Sequence, residues 1–195
     1  MKIVFKPRKH PYIAMIGIFL MVVALIVGIV GCGAAKYSLS TAANPVGGGV
    51  AADLTRTSPY VAGAVVNIRA VNATGYQFAN WTAPAGTFGN ITAATTTFTM
   101  PAQNVTVTAN FVKVYSLTMA ANLARGGNAT DLTGASPYAA NTVVNIKAVA
   151  NTTGFYKFLN WTAPAGTFGN ATAATTTFAM PAQNVTVTAN FQFIG

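Results

Sequence analysis

A long stretch of this chain is written twice. Residues 82–111 read TAPAGTFGNITAATTTFTMPAQNVTVTANF and residues 162–191 read TAPAGTFGNATAATTTFAMPAQNVTVTANF, with changes only at Ile91 against Ala171 and Thr99 against Ala179. The match extends upstream through Tyr37-Ser-Leu and Tyr115-Ser-Leu, Asp53-Leu-Thr and Asp131-Leu-Thr, and Ser58-Pro-Tyr and Ser136-Pro-Tyr, all at an offset of 78 residues. By Trp81 and Trp161 the offset is 80, so the second copy carries two extra residues in the loop around 151–156. Two halves with one apolar pattern must each close the same core, which makes the chain a tandem pair and not one large domain. The copies span 37–111 and 115–191, with a linker at 112–114 and a tail at 192–195. A unit of about 75 residues without a disulfide has a small core and is marginal alone, so docking of the two helps both.

Inside each copy the apolar period is two. Val105, Val107, Ala109 and Phe111 alternate with Thr106, Thr108 and Asn110, the pattern of a strand with one wet face. Val65 to Val71, Tyr76 to Trp81 and Thr95 to Met100 read as three further strands. Tyr37 to Ala42 reads as an opening strand, turned at Pro45-Val-Gly-Gly-Gly into a partner near Val50 to Thr55. Pro101 and Pro181 lack an amide donor and stop the strands before them. The Gly-rich segments at 46–52 and 125–129 are expected to stay mobile. No stretch holds helical periodicity for three turns, so the predicted class is all-β: two small β-rich repeat domains in tandem.

The N-terminus has a different composition. Residues 1–32 run MKIVFKPRKHPYIAMIGIFLMVVALIVGIVGC, a basic start followed by an uncharged apolar run from Tyr12 to Val30 and then the only Cys, Cys32. Segment 1–31 is expected to be a signal peptide or membrane anchor helix, and 32–36 a short tether. Ile29-Val-Gly-Cys32 resembles a bacterial lipobox, in which Cys32 would be acylated after cleavage. An apolar run of 19 residues is also nearly long enough to span as an uncleaved helix, and simple secretion is the third reading. All three place the repeats in an extracytoplasmic location, close to the membrane in the two anchored cases.

This segment also explains the charge. The formal net charge is +9, but Lys2, Lys6, Arg8 and Lys9 all lie in the leader, and beyond Cys32 seven bases face only Asp53 and Asp131. Seven scattered bases do not make a nucleic-acid groove. His10 is the only His and sits in the leader, so the repeats have no imidazole. With one Cys, no His and two carboxylates, the repeats are expected to hold no catalytic centre, metal or cofactor.

The residues that recur in both copies carry a family resemblance. An early Tyr-x-Leu strand, a Gly-rich turn, Ser-Pro-Tyr, Val-Val-Asn-Ile, an Asn-Trp-Thr strand, Phe-x-Met-Pro-Ala and Asn-Val-Thr-Val-Thr-Ala-Asn-Phe together resemble the divergent internalin-type B-repeat of microbial surface proteins, over nearly all of 37–191. The resemblance implies small β-rich surface modules, some related to the β-grasp, usually in tandem and without catalysis. It names no ligand.

Several positions invite binding roles. Trp81 and Trp161 would suit sugar stacking if exposed, but one Trp per small repeat beside Phe78 or Phe158 reads as a core anchor. Tyr60, Tyr76, Tyr138 and Tyr156 are expected to be partly exposed, which makes them the candidate ligand contacts. Asp53 and Asp131 are too few for calcium, which takes six to eight oxygens, and read as turn or strand-end hydrogen bonders. Asn-x-Thr occurs nine times. Asn72, Asn90, Asn104, Asn128, Asn151, Asn170 and Asn184 are candidate glycosylation sites, while Asn80 and Asn160 adjoin the Trp residues and are doubtful. The charged fraction is only 7%, so strand edges lack the Lys and Pro that usually blunt them. The expected role is therefore surface adhesion, protein interaction or structural spacing. The alternatives are a carbohydrate-binding module and a self-assembling layer or filament subunit joined through β-edges. The partners in view are the membrane, a surface protein or glycan, and further copies of the chain, with no nucleic acid.

Overall fold

Strand Val105–Tyr115 shows how the sequence builds each repeat. Its Val105, Val107, Ala109 and Phe111 are buried while Thr106 and Val112 are exposed, because a pleated strand sends alternate side chains to opposite faces. The computed structural model describes residues 33–134 and 136–195. Segment 1–31, expected to be a signal peptide or membrane anchor helix, and Cys32 lie outside the described residues. Lys36–Gly195 forms one compact unit, and no α-helix occurs among the described residues.

In chain order the first repeat has β1 (Lys36–Tyr37), β2 (Leu39–Asn44), β3 (Gly49–Asp53), β4 (Tyr60–Val61), β5 (Val65–Asn72), β6 (Tyr76–Thr82), β7 (Thr87–Phe88), β8 (Thr95–Thr99) and β9 (Val105–Tyr115). The second has β10 (Leu117–Ala121), β11 (Gly127–Asp131), β12 (Tyr138–Ala139), β13 (Val143–Ala150), β14 (Tyr156–Thr162), β15 (Thr167–Phe168), β16 (Thr175–Ala179) and β17 (Val185–Phe193). Each repeat is a two-sheet sandwich. One sheet is β2-β9-β6, with β2 parallel and β6 antiparallel to β9; the other is antiparallel, β3-β5-β8-β7. The second repeat reproduces both as β10-β17-β14 and β11-β13-β16-β15. Their inner faces enclose one core per repeat, with Val66, Ile68, Phe98 and Val107 in the first and Val144, Ile146, Phe178 and Val187 in the second.

The all-β expectation holds, and the strands read at 65–71, 76–81, 95–100 and 105–111 are β5, β6, β8 and β9. The expected hairpin between the opening strand and its neighbour does not form. β2 pairs with β9 and β3 pairs with β5, so the chain crosses from one sheet to the other at Pro45–Gly48. Thr41 Oγ1 donates to the Ala51 carbonyl at 2.9 Å across this arch. The Gly-rich segments are also not plain loops, since each ends in a strand that begins at Gly49 or Gly127. At Gly49 an added Cβ would strike the Phe111 ring and the Val71 carbonyl. Glycine there lets the Phe111 ring seal the end of the core.

A bulge decides how the aromatics pack. Phe78 faces Phe111 and Trp81 faces Ala109, with Ala79 as the extra residue between them. Without that residue, side chains three apart would point to opposite faces; with it, both turn inward. Their ring centroids are 5.4 Å apart in each repeat.

The segment 112–114, expected as a linker, is part of β9. Tyr76 pairs with Lys113, and the Val114 amide donates to the Gly75 carbonyl at 2.9 Å, which ties this stretch to the first repeat. Ala139 pairs with Val114 and Tyr138 with Tyr115, which ties it to the second. One strand therefore serves both repeats, and Val114 is buried where they meet. The two extra residues of the second copy form a 3-10 turn at Thr152–Gly154 between β13 and β14.

Glycines with positive φ separate two kinds of constraint. Gly86 and Gly166 both have φ of +91° and lie against the Phe98 and Phe178 rings, whereas Gly63 has φ of +79° and open space around it. Gly63→Ala should cost about 1 kcal/mol from backbone strain alone. Gly86→Ala and Gly166→Ala should each cost about 2–4 kcal/mol, because the methyl also displaces a core ring. Urea unfolding of the three variants checks the ranking.

Candidate functional site

The two carboxylates and the tyrosines at 60, 76, 138 and 156 are the side chains singled out in the repeats, and the fold sorts them into two groups. The first is a corner. Asp53 ends β3, and its Oδ1 accepts from the amides of Thr55 at 2.8 Å and Arg56 at 3.1 Å. The Tyr60 hydroxyl donates to Asp53 Oδ2 at 2.5 Å. Ser58 Oγ accepts from the Leu39 amide at 3.1 Å, so this side chain stands in for a strand partner at the start of β2. The second repeat repeats the arrangement, with Tyr138 donating to Asp131 Oδ2 at 2.6 Å and Ser136 Oγ accepting from the Leu117 amide at 3.0 Å. Asp-Leu-Thr and Ser-Pro-Tyr are thus two halves of one structural corner. The reading of the aspartates as strand-end hydrogen bonders is borne out, since donors face both carboxylate oxygens.

Exposure of Tyr60 and Tyr138 is not found. They are 6% and 5% exposed, because a phenol whose hydroxyl meets a carboxylate loses nothing by burying its ring. Neither is available as a ligand contact. Tyr76 and Tyr156 are half-buried, as expected.

Trp81 and Trp161 are core anchors, each 2% exposed. Their indole Nε1 donates to the Ala93 and Ala173 carbonyls at 3.0 Å, which pins the loop after β7 or β15 onto the sandwich. Neither indole offers a sugar platform.

The Asn-x-Thr sites divide by environment. Asn72, Asn90, Asn104, Asn128, Asn151, Asn170 and Asn184 are all exposed, whereas Asn80 and Asn160 are half-buried. Asn80 and Asn160 accept from Asn110 Nδ2 at 2.8 Å and Asn190 Nδ2 at 2.7 Å across the sheet face. Several exposed ones hold the backbone through Oδ1: Asn104 accepts from the Ser38 amide at 2.8 Å and Asn184 from the Ser116 amide at 3.0 Å.

An open groove of about 530 Å³ lies at one end of the second repeat, lined by Arg125, Asn128, Asn151, Gly154 and Tyr156 among others. Asn151 braces it: its Nδ2 donates to the Arg125 carbonyl at 3.1 Å and its Oδ1 accepts from the Gly154 amide at 3.1 Å. Tyr156 packs edge-on against Phe193, with centroids 5.4 Å apart. Sequence reasoning named Asn128, Asn151 and Tyr156 separately and missed Arg125. The signal was present in the mismatches between the copies, because Gly47 and Val50 stand where Arg125 and Asn128 do.

A family model described as the divergent InlB B-repeat domain matches residues 39–115 and again 116–195. No curated protein and no solved structure matches the chain.

If the corner is structural, removing one hydroxyl should be costly. Tyr60→Phe and Tyr138→Phe each leave a carboxylate oxygen short of a donor and should lower stability by about 1–3 kcal/mol, read by chemical denaturation. An unchanged midpoint would show that water replaces the phenol.

Proposed function

The chain belongs to the divergent InlB B-repeat family, in two tandem copies, and from that premise we propose that it is a non-catalytic cell-surface protein that displays a stiff pair of β modules. The continuous strand β9 carries this reading. A display or spacer element needs a fixed direction between its units, and a strand bonded to both repeats leaves no free hinge. Adhesion, protein interaction and spacing are all uses of such a rod.

The anchor follows from the leader. Cys32, acylated after cleavage, holds the chain to an extracytoplasmic membrane face, and β1 begins only at Lys36, so the first repeat stands close to the bilayer. The uncleaved helix is the competing attachment. In a host with N-glycosylation the exposed Asn sites would carry glycans, with Asn80 and Asn160 left bare because their amides bond across the sheet.

A second reading, self-association through strand edges, is favoured by one observation. The matching side of β3 is bridged at Ala51 by Thr41, but β11 pairs only with β13, leaving one long side of its four-stranded sheet with a single acidic residue at its end and no base. Such an edge accepts another strand.

Cys32→Ser should abolish acylation and leave a precursor of full mass; membrane retention with the same mass in the parent chain and the variant would instead favour the uncleaved helix. A spin label in each repeat should give a narrow distance distribution by pulsed electron resonance. Four Gly/Ser residues inserted after Lys113 should broaden it. A broad distribution in the parent chain would remove the rod. Sedimentation at rising concentration tests the edge reading, for which a strict monomer is the contrary result.

A further inference from the structure

The two repeats are an internal comparison, and their differences are not scattered evenly. Over 82–111 and 162–191 only two positions differ. At the arch end of the sandwich, by contrast, Gly47 is replaced by Arg125, Val50 by Asn128 and Ala73 by Asn151. The equivalence of Ala73 and Asn151 is fixed by hydrogen bonds: their amides donate to the Gly48 and Gly126 carbonyls, and their carbonyls accept from the Tyr76 and Tyr156 amides. The two inserted residues fall here as well, in the turn Thr152–Gly154 and Phe155. Three exchanges toward polarity and one insertion therefore converge on the groove beside Tyr156.

What these groups can recognise follows from their chemistry. Arg125 presents a guanidinium, which matches a carboxylate through two parallel N–H donors. Neither acidic side chain of the repeats is available to it, because Asp53 and Asp131 are held at the Tyr60 and Tyr138 corners. Tyr156 lines the groove with a partly buried ring that packs on the core and edge-on against Phe193, a rigid aromatic contact for the apolar face of a pyranose. Asn128 supplies an amide, both donor and acceptor, for ring hydroxyls. Asn151 is spent on the loop itself and serves as a positioning residue.

We propose that the groove of the second repeat binds a carboxylated pyranose of the uronic-acid type, with Arg125 on the carboxylate, Tyr156 under the ring and Asn128 on its hydroxyls. The first repeat has Gly47 and Val50 where Arg125 and Asn128 stand, so the site is built by the second repeat. This does not depend on how the chain is attached to a membrane, and a failure here leaves the display reading standing.

The test is calorimetric titration of the full chain in detergent micelles, made in a host without N-glycosylation so that Asn128 and Asn151 are unmodified. Probes are an oligogalacturonate, its methyl ester and poly-glutamate. Binding should be seen with the oligogalacturonate and fall about tenfold or more with the ester, as the loss of one charge-assisted pair requires. Arg125→Gly, which installs the residue of the first repeat in an exposed turn, should reduce affinity by a similar factor with an unchanged melting curve. Lys147→Gln removes the same charge from an exposed strand position elsewhere and should leave affinity intact. Equal binding of the ester, equal loss in both variants, preference for poly-glutamate, or no binding would each overturn the proposal.

Discussion

The structure hangs on the central strand that ends each repeat. β9 is bonded on both sides, parallel to β2 and antiparallel to β6, and its inward side chains Val107, Ala109 and Phe111 form the floor of the core. Alternating Val, Val, Ala and Phe suits this position, since the small Ala109 lies opposite Trp81 while the large Phe111 lies opposite Phe78. Burying each Val contributes about 1.5–3 kcal/mol, which is significant for a unit near the lower limit of stable domain size. The same strand then continues without a turn into the β12 pairing of the next repeat. Core closure and the coupling between repeats thus depend on one element.

The sequence made some of this visible and hid the rest for identifiable reasons. Period-two alternation revealed β5 and β9 because each has one dry face and one wet face. The Gly-rich run at 45–49 looked like a hairpin turn because local chemistry cannot distinguish a turn within a sheet from an arch between sheets. The true partner of β2 lies some 66 residues away, at Asn44 and Asn110 for example, and a non-local parallel pairing leaves no short-range mark. The bulge at Ala79 was hidden too. Phe78 and Trp81 share a face only because one residue is extra.

Residue type alone suggests partial exposure for Tyr60, yet its partner is visible in the sequence as Asp53, recurring with it in both copies. Two motifs that recur at fixed separation, one holding an acid and the other a phenol, are what a buried pair looks like in sequence. All buried side-chain polar atoms among the described residues have partners, so the scarce carboxylates of this chain are consumed by architecture. That leaves the bases uncompensated and the wet faces covered by Thr and Asn.

A duplicated protein also separates folding constraint from freedom within one chain. The residues that close the core, from Val66 and Val144 to Phe111 and Phe191, are the same in both copies. Variation falls outside that core, and at the arch end the copies differ in charge, polarity and loop length. Gly49 and Gly127 mark the boundary between the two regimes. Both remain glycine because a Cβ would collide with the Phe111 or Phe191 ring, while their near neighbours Gly47 and Val50 have become Arg125 and Asn128. The fixed glycine holds the backbone of the arch in place, so the flanking side chains are free to change chemistry on a stable support. The groove of the second repeat therefore owes its charge and its loop to the arch end, while its ring, Tyr156, keeps the place that Tyr76 holds in the first repeat.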